Sequence, residues 1–187
     1  MRRFGVIFAL LFALTLVLGG SAAGASGGKG TYDWHIGDTF LQNFGFPVGD
    51  EAMSSSTGDI VRVVGTGTLD ASSKTASGGG TFTHFGPDGT TVKRTGTWTV
   101  TGLTSFQFYG CDGEGFPATF CGGRVDFAIA VTPAGAPLAF PGFLQMECVL
   151  GNPPSGASEG IRVWVPGHAE FNKTVQESGN TVFISTH

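Results

Sequence analysis

Hydrophobic and polar residues alternate along most of the chain after Asp59, and each alternating segment ends in turn residues. The segment 60–69 (IVRVVGTGTL) ends at a run of small polar residues, and 78–85 ends at the turn sequence GPDG, in which proline presets φ and glycine accepts positive φ. A period of two is typical of strands with one buried face. No segment carries a sustained apolar stripe at helical spacing. The pattern therefore predicts an all-β, antiparallel protein.

The alternation predicts strands over residues 60–69, 78–85, 91–101, 103–109, 124–131, 143–150, 161–165, 169–174 and 181–185. Before Asp59 the pattern is less regular. There, Phe40, Phe44 and Phe46 are interpreted as packing against a strand or closing one end of a barrel. The segment 26–58 is predicted as an N-terminal extension with the first strands, and 59–187 as the antiparallel β domain.

Glycines recur inside successive predicted strands, at Gly65, Gly67, Gly96 and in the run 78–80. Glycine within a strand marks a bend, a bulge or a close backbone approach. Clustered in neighbouring strands, these glycines would let the sheet coil sharply. We therefore expect an antiparallel β-barrel or strongly coiled β-sandwich of about eight to ten strands in a single domain.

The N-terminus has the pattern of an export signal. Arg2 and Arg3 precede an apolar run of thirteen residues at 6–18, which is short for a membrane span. Cleavage is predicted after Ala25, with a second option after Ala23, and residues 1–25 form the predicted signal peptide. The alternative is a retained N-terminal anchor. No span is predicted in the mature chain, so the protein is expected to be secreted, extracellular or periplasmic.

Composition excludes several classes of protein. Ten basic and fourteen acidic residues give a formal charge of −4, and charged residues make up 13% of the chain. Nucleic-acid binding needs clustered Lys and Arg, so no nucleic-acid partner is expected. The low charge and 41% hydrophobic content also argue against a disordered polyelectrolyte. Nothing in the sequence fixes an oligomeric state.

Three cysteines leave one unpaired in an exported chain. Cys111 and Cys121 bracket a polar, glycine-rich loop, so we predict a disulfide between them. Cys148 lies in an alternating segment with Leu144 and Met146 on the same face, and it is predicted to be a buried, unreactive thiol.

Most of the mature chain carries a resemblance. The sequences GTGTLD at 65–70, GGGTFTH at 78–84 and GTW at 96–98, with ECVLGNPPSGASEGI at 147–161, FNK at 171–173 and TVF at 181–183, resemble a group of exported microbial all-β proteins of unassigned function. That resemblance implies no catalytic residue. More distantly, the predicted architecture is similar to lipocalin-like and dirigent-like barrels, which implies no site.

The most polar predicted constellation belongs to a hairpin. If residues 124–131 and 143–150 pair with aligned apolar faces, Arg124 and Asp126 share a face with Gln145 and Glu147. Two carboxylates beside an arginine can act as acid and base when their pKa values differ. The alternative is a solvent-facing ion pair of small energetic value.

His84 shares its predicted face with Phe82 and is a further candidate for ligand binding. A metal site or a general base would need partners, and the four histidines show no metal-ligand spacing with cysteines, acids or each other. The sequence also lacks dinucleotide and phosphate-loop motifs in a strand-helix context. We therefore predict no metal and no cofactor.

Phenylalanine fills 17 positions against two tyrosines and three tryptophans. Phenylalanine belongs in cores or apolar cavities, and a barrel of about eight strands has room for one small ligand. The sequence therefore predicts a non-catalytic protein that binds a small hydrophobic ligand, through Arg124, Asp126, Glu147 or His84 where polar groups take part. The alternatives are an extracellular structural, adhesive or self-assembling protein, and an acid/base enzyme using Asp126 and Glu147.

Overall fold

The computed structural model of the protein describes residues 28–111, 115–175 and 178–186. The predicted signal peptide, residues 1–25, lies outside the described residues. The strands are β1 (Thr31–Ile36), β2 (Asp50–Met53), β3 (Ile60–Asp70), β4 (Thr75–Phe85), β5 (Val92–Gly110), β6 (Phe120–Pro133), β7 (Phe140–Cys148), β8 (Gly160–Val165), β9 (Ala169–Phe171), β10 (Lys173–Thr174) and β11 (Thr181–Ser185), and one short helix, α1 (Thr39–Gln42), follows β1.

The strands form one antiparallel sheet of 11 strands, and the pairing closes into a ring. The circuit runs from β3 through β4, β5, β6, β11 and β1 back to β3. The predicted all-β, single-domain antiparallel fold is therefore confirmed, with one strand more than the upper number expected. The segment 26–58 supplies β1 and β2, which both pair with β3.

The two long strands β3 and β6 each change partner partway along one edge. β3 pairs first with β2 and then with β1, whereas β6 pairs first with β11 and then with β7. The additional strands β7, β8 and β9 extend from β6, and β2 and β10 extend from β3. At one end of β3 and β6, the ring is therefore closed by β1 and β11, and we call this the filled end. At the other end of β3 and β6, the ring is bordered by β7, β8, β9 and β2.

Two predicted strand assignments were wrong, and several other strands differ from the prediction only at their ends, such as β6, which begins at Phe120 rather than Arg124. Residues 91–101 and 103–109 belong to one strand, β5, because irregularities at Val100/Gly102 and Leu103/Ser105 absorb the break in alternation without ending the pairing with β6. Residues 169–174, expected as one strand, divide at Asn172. The chain there leaves β8, which pairs with β9, and joins β2, which pairs with β10.

The early phenylalanines pack on the outside of the sheet. Phe40 and Phe46 pack against a small cluster of Leu41, Phe120 and Val182. Val182 points away from the main core, which its neighbour Phe183 enters. Of the two interpretations of these phenylalanines, packing against a strand is the one observed.

The strand glycines make room for tryptophan rings. A Cβ at Gly65 would lie 2.3 Å from the indole of Trp98, and one at Gly67 would lie 2.5 Å from that of Trp34. The two indoles stack with ring centroids 5.7 Å apart. Trp34 donates its indole N–H to the Thr68 carbonyl, and Trp98 donates its own to the Val64 carbonyl, both on β3. These two glycines are therefore needed for the close approach of the tryptophan side chains.

The predicted disulfide and the predicted burial of Cys148 are confirmed. Cys111 and Cys121 form the disulfide that joins the end of β5 to the start of β6. Leu144, Met146 and Cys148 lie side by side in the main core, each at most 2% exposed. Cys148 is a free cysteine, and burial raises the pKa of its thiol.

Candidate ligand-binding cavity

A cavity of about 340 Å³ lies inside the ring, between the wall formed by β3 to β6 and the strands β7 to β9. Cross-strand pairing brings its first wall together, because Val63 lies opposite Phe82 and Trp98 lies opposite Val131. Gly96 lies opposite Phe82, and a Cβ there would lie 2.6 Å from the Phe82 ring. This wall is apolar and comprises Val61, Val63, Phe82, Trp98, Ile129 and Val131.

The opposite wall is also apolar. Leu144 on β7 lies opposite Val163 on β8, which in turn lies opposite Phe171 on β9. Val165 and Phe140 complete this side. Because these side chains alternate with outward-facing residues such as Trp164, the strands turn a continuous apolar surface toward the cavity.

Polar groups are found where β4 and β5 border the cavity. His84 lies opposite Arg94, whereas the next pair is Phe85 with Val92. Lys93 is thus an extra residue in β5 at a register shift, a β-bulge that redirects side chains. His84, Lys93 and Arg94 all line the cavity, and His168 lines it from the turn between β8 and β9. We call these four residues the mouth.

Asp59 organises two of the mouth residues. The Lys93 Nζ atom lies 2.7 and 2.8 Å from the two Asp59 carboxylate oxygens, and the His84 Nε2 atom lies 2.9 Å from Oδ2. The hydrogen bond from Lys93, with a further one from His84, lowers the pKa of Asp59. The His84 ring also meets the Phe171 ring edge to face at 5.2 Å. His84 is therefore fixed between a carboxylate and the apolar wall.

Arg94 differs from Lys93. In the part of the chain that the structure describes, its guanidinium has no hydrogen bond or ion pair, and the residue is exposed. It shares the inward face of β5 with Gly96 and Trp98. The mouth thus carries, beside an apolar cavity, a positive charge that pairs with none of the described residues.

The sequence-predicted residues fall into two separate groups. His84 is in the mouth, whereas Arg124, Asp126 and Glu147 lie on the outer face of β6 and β7. The expected hairpin alignment is confirmed, because Arg124 lies opposite Glu147 and Asp126 lies opposite Gln145. None of these three residues lines the cavity.

A hydrogen-bonded network occupies that outer face. Asp126 accepts from Ser105 at 2.5 Å and from Gln145 at 2.8 Å, and Arg162 donates to Gln145 at 2.6 Å. The Tyr109 hydroxyl donates to Glu147 at 2.7 Å. Burial raises the pKa of Tyr109, and this hydrogen bond raises it further. Glu147 is only 3% exposed, so its carboxylate is held beneath the network rather than facing solvent.

Sequence reasoning missed Lys93, Arg94 and His168. A signal for two of them was present, because the sequence Val92, Lys93, Arg94 places two charges in succession within an otherwise alternating strand. A β-bulge inserts one extra residue into a strand and so can shift the alternation in this way. No comparable pattern marks His168, whose position depends on the turn that joins β8 to β9.

The described residues offer neither a metal-holding cluster nor a membrane-spanning helix. In residues 28–111, 115–175 and 178–186, no group of three or more His, Cys, Asp and Glu side chains is placed to hold a metal ion. No helix in the same ranges is both long and apolar enough to cross a membrane.

The fold and the cavity define a class: a disulfide-linked, antiparallel all-β protein with an apolar cavity inside a ring of strands. The disulfide fits an extracellular protein. Comparison with known proteins finds no matching family model, no matching curated protein and no matching solved structure.

Proposed function

We propose that this protein binds a small apolar ligand, or the apolar part of a larger one, in the cavity between β3–β6 and β7–β9. The observation that carries the proposal is an apolar enclosure of about 340 Å³ whose polar groups are confined to the mouth. Ligand sites in proteins are typically about 300–1,000 Å³, mostly apolar, with a few polar groups that orient the ligand.

The packing of the remaining core supports this proposal. Protein interiors are usually close-packed, and an unfilled apolar space forfeits contact energy. Here five of the positions that border the space carry valine, beside rings such as Phe82 and Trp98, and the space between these side chains stays unfilled. A ligand would restore the missing contacts. The function we propose is therefore binding without catalysis.

We further propose that the protein acts outside the cell or in a periplasm, with residues 1–25 removed as a signal peptide near Ala25. The charged start, the apolar run at 6–18 and the small residues before Ala25 support this. Intact-mass measurement of the exported protein tests it. A mass matching residues 26–187 is expected, and a mass that includes residues 1–25 would contradict it.

The binding proposal is tested with N-phenylnaphthylamine, a neutral dye that fluoresces in apolar surroundings. We expect saturable binding by the natural protein and loss of binding in Val163→Trp, whose indole would occupy the cavity. Val48→Trp is the matched control, because Val48 is 55% exposed and does not line the cavity.

Melting curves of both variants establish that they are folded. The proposal is supported if the dye distinguishes the two tryptophan variants. It is wrong if the natural protein shows no saturable binding, or if Val163→Trp binds the dye as well as Val48→Trp does. Should Val163→Trp fail to fold, Val131→Phe provides a smaller filling of the same space.

A further inference from the structure

We infer that the mouth receives an anionic headgroup, so that the preferred ligand is a small amphiphilic carboxylate with its hydrocarbon tail in the cavity. This inference rests on the proposed binding function and adds the chemical class of the ligand. It depends on the mouth residues and their charges rather than on the apolar walls.

The charges at the mouth do not cancel. Lys93 and Arg94 supply two positive charges, and Asp59, which contacts Lys93 and His84, supplies one negative charge. Arg94 is the group without a partner among the described residues. An arginine without a carboxylate partner at the edge of an apolar space favours an anion over a neutral or cationic group.

The strand geometry directs this charge toward the ligand. Arg94, Gly96 and Trp98 occupy one face of β5, and their cross-strand neighbours His84, Phe82 and Gly80 occupy the same face of β4. Along β5, this face therefore changes from the positive charge of Arg94 to the apolar ring of Trp98 within four residues. A ligand whose tail contacts Phe82 and Trp98 would therefore place its head beside Arg94.

The guanidinium of arginine suits a carboxylate, since its planar N–H groups form two parallel hydrogen bonds with the two oxygens. Lys93 is held 2.7 Å from Asp59 and would add attraction at longer range. The same arrangement repels an ammonium head. The expected order of affinity for ligands with identical tails is octanoate, then octanol, then octylamine.

The experiment measures displacement of N-phenylnaphthylamine by each of these ligands below the concentration at which it self-associates. For Arg94→Gln we expect octanoate affinity to fall about tenfold, the size of a charge-assisted interaction, with octanol affinity unchanged. Lys29→Gln is the matched control, because it removes one positive charge next to the start of β1 and away from the mouth.

A second variant has the opposite expected sign. Asp59→Asn removes the carboxylate that competes for Lys93 and His84, so octanoate affinity is expected to rise several-fold while octanol affinity stays constant. A general loosening of the mouth would instead lower the affinity for both ligands.

The outcomes separate this inference from the proposed function. If octanoate and octanol bind equally and Arg94→Gln changes neither, the anionic headgroup is wrong and the apolar cavity stands. If neither displaces the dye and the dye itself does not bind, the proposed function fails. If octylamine binds most tightly, the charge argument is overturned.

Discussion

The two ends of the ring are built on the same strands but are filled differently. At the end closed by β1 and β11, Trp34, Phe127 and Phe183 are fully buried, and Trp34 packs on Phe127 with centroids 5.2 Å apart. At the other end, the inward positions of β3 and β6 carry valine and isoleucine, and a cavity remains. Smaller inward side chains on β3 and β6 thus accompany the cavity, although rings such as Phe82, Trp98 and Phe171 also line it.

The closure of the two ends also differs. β1 and β11 pair with each other and complete the hydrogen-bonded circuit at the filled end. At the cavity end, no strand pairing among the described residues joins β8 to β2 directly. Instead the chain runs from β9, which pairs with β8, into β10, which pairs with β2, and β2 packs against β8. The cavity is therefore bordered by the least continuous part of the sheet.

Removing a ring from the filled end is expected to have the largest effect on stability. Trp34→Ala should lower the free energy of unfolding by about 3–5 kcal/mol, because a large buried side chain is lost and the sheet cannot collapse around the space. Chemical denaturation measures the change. Trp164→Ala is the control, since Trp164 is 49% exposed, and it should cost far less. A loss of unfolding free energy in Trp34→Ala as small as the one expected for Trp164→Ala would show that Trp34 is not a core residue.

A buried carboxylate on β2 and a partly buried one next to β8 make the stability of the protein depend on pH. Asp50 on β2 accepts from the backbone N–H groups of Glu51 and Gly179 through Oδ1, and its buried Oδ2 has no hydrogen-bond partner among the described residues. Burial raises the pKa of Asp50 from 3.8 to about 6 and the pKa of Glu159, near β8, from 4.5 to about 7.

Because these folded-state pKa values exceed the unfolded ones, the folded protein binds more protons between about pH 4 and pH 7, and its stability falls as pH rises through that window. Asp50 alone accounts for about 3 kcal/mol of this loss. Asp50→Asn should flatten the slope and be at least as stable as the natural protein at pH 8. Denaturation across pH checks this, and stability that rises from pH 4 to pH 7 would contradict it.

Opening the disulfide tests whether the two ends behave separately. The Cys111–Cys121 bond closes a short loop at the start of β6, near the filled end, and replacing both cysteines with serine should cost about 2–3 kcal/mol. Dye binding at the cavity end is expected to stay unchanged once the variant is folded. A loss of dye affinity with folding intact would mean that the disulfide also shapes the cavity.

The smallest effect is expected for a truncation in the cavity wall. Val163→Ala should lower the free energy of unfolding by about 1 kcal/mol, because Val163 already borders open space and gives up few contacts. A loss as large as that of Trp34→Ala would indicate that this end is solid.

Much of the fold was predictable because alternation reports directly on a half-buried sheet. The pattern located β3 and β11 closely and placed Leu144, Met146 and Cys148 on a buried face. It could not show that β5 continues through Gly102, since a bulge interrupts alternation as an end would. The partner change at Asn172 also depends on contacts with β2, distant in sequence.

The candidate site was less predictable for the same reason. His84 could be selected from its shared face with Phe82, but the cavity exists only once strand order brings β8 and β9 opposite β3 and β4. The hairpin carrying Asp126 and Glu147 was aligned correctly from sequence. Its covering by Tyr109 and Arg162 requires β5 and β8, which the pattern cannot position.

The most direct test of the central claim is a methyl NMR titration of valine-labelled protein with octanoate. If the hollow end takes up the ligand, shift changes are expected to concentrate on the five valines that line the cavity, Val61, Val63, Val131, Val163 and Val165, with little change at the core valine Val125. Changes confined to exposed valines such as Val48 and Val92, or no saturable change at any methyl, would contradict a hollow end that takes up a ligand.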